Sequence, residues 1–242
     1  MSGFRIQSWN AVAPGLNCPE DWRNWLQAPY LLDTQLAKIP LKQIPPLLRR
    51  RFTELGRCAA GAALPLLENI DSIPSVFASR HGDTPLTLSL LEGIAEQQPM
   101  SPTGFSLAVH NAVSGLLSIA RKDVSEVTAI AASEQLIAHA LMEAMTQLQE
   151  HERVLCLIYD VPLPELYQPY VTTEPFPFAL AMILSRGTGE CFQLGQKQSA
   201  VHAEVSELMA MMKCLCGLEE QVCFSGTRGS HWQLCKADPE QV

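Results

Sequence analysis

The chain has 242 residues, 47% hydrophobic and 17% charged, with a formal net charge of -8. Such hydrophobicity excludes a disordered polymer, and at this length folding withdraws roughly 70% of the unfolded surface from water, enough for one large α/β domain without crosslinks. Seventeen Lys and Arg face 25 Asp and Glu, and with only Arg49, Arg50 and Arg51 clustered there is no basic footprint for nucleic acid. No run approaches the ~18 apolar residues of a spanning helix, and the start lacks the basic stretch and apolar run of a signal peptide. The expectation is a single domain over residues 1–242, cytoplasmic, with no membrane span and no nucleic-acid partner.

In chain order, Phe4 to Val12 alternates as a first strand, and Pro19 to Leu26 reads as a short helix carrying Trp22 and Trp25. After the prolines at 40, 45 and 46, a helix is expected from Pro46 to about Leu67, with Leu48, Phe52, Leu55 and Ala59 on one face. Ile73 to Ser79 is a β-rich run, closed by a turn at Arg80, His81 and Gly82, and Thr84 to Gln97 follows as a helix. Phe105, Ala108, Val109, Ala112, Val113, Leu116 and Ala120 form one stripe of a continuous helix. Val127 to Ala132 is a short strand, and Ser133 then caps a helix that runs through Leu148. Arg153 to Asp160 is a continuous apolar strand, as in a sheet covered on both faces. A proline-rich loop follows at 162–177, then a strand from Phe178 to Ser185, which Cys191 to Leu194 extends as a hairpin. A helix from Ala200 to Cys216 and two short strands finish the chain. The alternation predicts an α/β fold in layers, α/β/α.

Motifs for familiar chemistry are missing: there is no Gly-rich phosphate loop, no GxSxG, no HExxH and no CxxC. The eight cysteines lie in apolar periodic segments and read as reduced core thiols, and Cys214 and Cys216 have no matching pair for zinc. No metal and no cofactor are expected. His139 lies beside an apolar helix stripe and reads as structural. Ser133, at a strand-to-helix turn, is the one place where a nucleophile could meet a helix dipole, although an N-cap needs the same residue.

The segment MSPTGFSLAVHNAVSGLLSIARKDVSEVTAIAASEQLIAHALMEAM from Met100 resembles the β-ketoacyl synthases. It has their Ser-Pro start, an Asn and a Gly in the following helix (Asn111 and Gly115), a strand, and then the nucleophile elbow. SVFASRHG upstream, and RVLCLIYD and PFPFALAMILS downstream, resemble the neighbouring strands, so the resemblance covers about residues 47–186. It implies a thiolase-like layered fold, approximately the N-terminal half of a ketosynthase. Aligned without gaps from Ser101, the nucleophilic cysteine of the synthases falls on Glu134, and a slip of one puts it on Ser133 or Gln135. A carboxylate attacking a thioester would give a high-energy anhydride, so Glu134 cannot stand in for a thiolate. The two synthase histidines belong to a second half that this chain does not extend into, and only His202 and His231 remain in its closing segment.

A synthase without nucleophile or histidines resembles the chain length factors of type II polyketide systems, and its short length resembles the factor-like proteins of aryl polyene clusters. That resemblance implies a non-catalytic partner of a full-length ketosynthase in a heterodimer, meeting acyl carrier protein through the complex. Strand 127–132 would pair across the interface, bringing Val127, Ala129 and Ala131 to it with Phe105, Asn111 and Gly115 from the preceding helix. Leu86, Leu88 and Leu91 would set tunnel depth, or else merely hold the core. Apolar surface is expected where the missing half would have packed. The alternative function is a small acyltransferase or thioesterase using Ser133 or a cysteine.

Overall fold

The structure is a computed structural model that describes residues 2–198, 205–226 and 230–239. Its strands are β1 (Ser2–Val12), β2 (Ser75–Ala78), β3 (Val127–Ile130), β4 (Arg153–Asp160), β5 (Phe178–Ser185), β6 (Glu190–Lys197), β7 (Gln221–Ser225) and β8 (His231–Lys236). The helices are α1 (Pro19–Gln27), α2 (Pro46–Arg49), α3 (Glu54–Ala63), α4 (Thr84–Ala95), α5 (Pro102–Leu107), α6 (Ala112–Arg121), α7 (Leu136–Gln147) and α8 (Glu207–Leu215). One sheet runs in the order β3-β2-β4-β5-β1-β6-β8-β7. β2 is parallel to both β3 and β4, whereas β5 is antiparallel to both β4 and β1.

Alternation along the central strands builds the layers. Val154, Cys156 and Ile158 of β4, with Leu180, Met182 and Leu184 of β5, face α7 and α8. Leu155, Leu157 and Tyr159, with Ala179, Ala181 and Ile183, face α3 and α6. Both faces are therefore covered, which is why β4 and β5 read as unbroken apolar runs rather than alternating ones. Truncating one of these leucines would cost about 2–5 kcal/mol. None of the described helices is long and apolar enough to cross a membrane.

Several expected elements differ. The helix from Pro46 to Leu67 is broken: α2 ends at Arg49, Thr53 starts α3 by accepting from the Gly56 N–H, and 64–67 tightens into a 3-10 turn containing Pro65. Arg49 donates to the Ile44 carbonyl and Arg57 to those of Ile39 and Arg49, so tertiary bonds fix the break. The stripe from Phe105 to Ala120 is likewise two helices, with a turn at 108–111 that lets the His110 ring bond the Ser79 carbonyl at 2.9 Å. The expected hairpin at Cys191 does not form, because β1 lies between β5 and β6 and pairs with both. The last helix begins at Glu207 rather than Ala200; positions 199–204, with His202, lie outside the described residues.

The C-terminal strands reach round to the start of α7. β2 and β7 stand six places apart in the sheet, about 29 Å if it were flat. Yet the Gln135 side-chain amide, at the entrance to α7, donates to the Phe224 and Ser230 carbonyls at 3.2 Å each. The sheet therefore curls around α7 and α8, and Leu136, Ile137, Ala140, Leu141 and Ala144 are buried in one core with β2, β4 and α8.

Candidate functional site

Two places carry functional geometry. The first is the elbow at the carboxyl ends of the parallel strands, where α/β sheets characteristically hold ligands. A cavity of about 420 Å³ opens there, lined among others by Arg80, His81, Ser133, Glu134, Asp160, Glu174, Glu207 and Cys223, with Ile137, Phe176 and Phe178 as apolar wall. Asp160 closes the end of β4: its carboxylate accepts from the Ser79 hydroxyl at 2.8 Å, the Arg80 N–H at 2.9 Å and the His81 N–H at 3.3 Å. Burial raises its pKa despite those bonds and the nearby Arg80 charge. Burial, reinforced by the Arg80 charge, lowers the pKa of His81.

Of the three alternatives for the nucleophile position, Gln135 is the residue with left-handed backbone, at φ 57° and ψ 32°, immediately before α7. Ser133 is exposed and is not the cap that was expected; Glu134 is half-buried beside it. The helix is instead capped from a distance. Glu207, in the first turn of α8, accepts the Gln135 N–H through Oε1 at 2.5 Å and the Ile137 N–H through Oε2 at 3.2 Å. Burial raises the pKa of Glu207, against those two bonds and the charges of Arg80 and His139. Gly226 completes the fit, since a Cβ there would stand 2.6 Å from Gln135 Nε2. His139 sits one turn into α7, with its Nδ1 buried and unpartnered.

Thiol chemistry finds no activated group among these. Burial raises the pKa of Cys58, Cys156, Cys214, Cys216, Cys223 and Cys235, the opposite of what a nucleophilic thiolate needs. Among the described residues, no group of three or more His, Cys, Asp or Glu could hold a metal ion.

The acidic lining has a measurable consequence. Glu174 has its pKa raised from 4.5 by burial, against a hydrogen bond from Ser206. A carboxyl raised on folding favours the folded state below its ordinary pKa, and that contribution is lost as the pH rises through the raised value. The melting temperature of Glu174→Gln should therefore gain on that of the parent as the pH increases across this window. Thermal melts in a pH series check it, and a constant difference would reject it.

The second place is the free edge of β3. Ser75 N–H bonds the Glu126 carbonyl and Ser79 N–H the Ile130 carbonyl, so in a parallel ladder Thr128 and Ile130 turn their backbone groups toward β2. Val127, Ala129 and Ala131 then turn theirs outward, and all three side chains are exposed. Asp123 anchors the strand's approach, accepting the Ile73 and Ser125 N–H groups at 3.0 Å each. Beside the edge runs an open groove lined by His110, Asn111, Ser114, Gly115 and Ser118. A Cβ on Gly115 would meet nothing within 4 Å. Large apolar side chains crowd the same stretch of chain: Leu91, Ile94, Met100, Phe105 (58% exposed), Val109, Ile119 and Val124 (97% exposed). α4 and α5 bury no residue of their own, so Leu86 and Leu88 are half-buried and Leu91 is exposed. None of the three is fully buried, so any packing role they have is partial.

Comparison with curated proteins finds no match. Among solved structures the chain is similar to one chain of the ketosynthase ApeO in complex with its chain length factor ApeC from Xenorhabdus doucetiae. The TM-score is 0.84 at 26% identity, covering 98% of this chain and 100% of that one. It is also similar to the ishigamide ketosynthase/chain length factor, with a TM-score of 0.64 at 13% identity over 82% of this chain and 68% of that one. A third is the AntDE:AntF complex of a type II acyl carrier protein with its ketosynthase, with a TM-score of 0.58 at 14% identity over 81% and 69%. These last two show the shared fold. The family model for the beta-ketoacyl synthase N-terminal domain matches residues 22–233, and the chain belongs to that family.

Proposed function

We propose that this chain is a non-catalytic chain length factor that pairs with a full-length ketosynthase and helps to shape the acyl tunnel of its partner. The carrying observation is the elbow, where an amide side chain tied to its own neighbours occupies the left-handed position before α7. Gln135 is accordingly the nucleophile-equivalent residue, in preference to Glu134 and Ser133. An amide cannot attack a thioester to form an acyl enzyme.

The heterodimer forms through the outward edge of β3, with Phe105, Asn111 and Gly115 in the contact. The exposed apolar residues from Leu91 to Val127 support this, because a surface of that kind marks an interaction site. Acyl carrier protein reaches the chain through the complex, in cytoplasmic type II polyketide synthesis of the aryl polyene kind. The similarity to a complex whose name includes a chain length factor supports the same reading. The alternative acyltransferase or thioesterase loses support, since no described base bonds Ser133 and the shifted thiols are raised.

Leu86, Leu88 and Leu91 test the tunnel role. Because none is fully buried, truncation to Ala should cost less than the roughly 2–5 kcal/mol of a core leucine. A buried methylene is worth ~0.8 kcal/mol, so deepening the tunnel by one two-carbon unit should shift product selectivity roughly tenfold toward the longer chain. Product profiles and melting temperatures of the three variants, each paired with the same synthase, give the answer. Unchanged product length in all three would reject the gating role.

A further inference from the structure

The N-terminal turn of α7 is an anion site by construction, because its first N–H groups have no partner within the helix and the helix dipole is positive there. In this chain the site is already filled. Glu207 reaches across from α8 and takes the Gln135 and Ile137 N–H groups with separate oxygens. Ser206, its neighbour, caps α8 independently by accepting from the Met209 N–H at 3.2 Å, so Glu207 is not needed to start its own helix. The Gln135 side chain is meanwhile held by Phe224 and Ser230, with Gly226 leaving room for it.

We propose that Glu207 is a built-in anion that seals the elbow, so that loss of catalysis in this chain is written in two places: at the nucleophile position, and at the donors an acyl oxygen would need. A thioester carbonyl becoming an oxyanion requires free N–H donors aimed at it. Here the Gln135 N–H is committed to a carboxylate. The same negative charge opposes any thiolate placed at the helix entrance, where the bare dipole would favour one. Glu207 is thus a positioning residue that acts on the elbow's backbone. The inference rests on the non-catalytic reading only in identifying the elbow as the place where acyl chemistry would occur.

The test restores a nucleophile with and without the seal. Gln135→Cys is compared with Gln135→Cys carrying Glu207→Gln and with Gln135→Cys carrying Glu207→Asp, whose carboxylate is drawn back by one methylene. Arg80, His81, Glu134, His139, Asp160, Glu174 and Cys223, the other charged or titratable groups around the elbow, are the same in all three. Alkylation of the introduced thiol by iodoacetamide is followed by peptide mass spectrometry across a pH series, with thermal melts on each protein.

With Glu207 intact, labelling should rise only above the ordinary cysteine range. With Glu207→Gln the midpoint should fall by about one pH unit, with roughly tenfold faster labelling at neutral pH. The Asp variant should lie between them and remains informative if the Gln variant does not fold. Coincident pH profiles in the folded variants would overturn the inference. Pairing of the parent chain with a ketosynthase is measured separately, so failure of the functional reading would be seen there and not in the labelling.

Discussion

Ala129→Pro is expected to abolish pairing with a ketosynthase while leaving this chain folded. Ala129 directs its N–H to the open side of β3, whereas Thr128 and Ile130 carry the ladder to β2. Proline at that position removes the outward donor and puts a ring in the path of an incoming strand, which is why proline is kept out of strands paired on both sides. The affinity should fall by about a hundredfold or more. Gly115→Trp attacks the same face by bulk, since a Cβ there points into open space in the free chain. Gel filtration of coexpressed proteins, with melting curves of each variant alone, separates loss of the interface from loss of the fold. Pairing undiminished in both variants would remove β3 and α6 from the interface.

Gly189→Ala should cause the largest loss of stability. Gly189 joins β5 to β6 at φ 125°, a conformation that side chains disfavour, and a Cβ would stand 2.3 Å from the Ile6 carbonyl oxygen. The contact has a cause: β1 shifts register between Ile6 and Ser8 as it pairs with β5, and the connection to β6 must cross that irregularity at close range. Backbone oxygen cannot swing aside as a side chain can, so either β1 or the turn must move. A cost of about 3 kcal/mol or more, roughly 10 °C in melting temperature at this length, is the expected outcome of thermal unfolding. An unchanged melting temperature would show that the turn relaxes freely. The consequence extends to the elbow, because β1 carries β6 and, through it, the strands that hold Gln135.

The layers were legible because β4 and β5 are apolar without interruption and the helices between strands keep helical period. The outward set Val127, Ala129 and Ala131 was likewise available from period two on a short strand. Periodicity failed where tertiary hydrogen bonds break a helix, as at Arg49 and His110. It also carries no information about which strand pairs with which, so the insertion of β1 between β5 and β6 was hidden. The elbow register could not be read from residue type, since glutamine is not a residue that favours left-handed backbone. Glu207 was missed because it acts 72 positions from Gln135 and, by sequence, looks like an ordinary acid in the first turn of its own helix. A cue did exist: Ser206 already supplies that helix with a cap, which leaves the acid free for another role.

Intact mass measurement of this chain with its ketosynthase, after exposure to acyl carrier thioesters, tests the central claim most directly. A one-to-one complex in which the synthase alone gains acyl mass is the predicted result. Stoichiometric acyl mass on this chain, or the absence of any complex, would contradict the account.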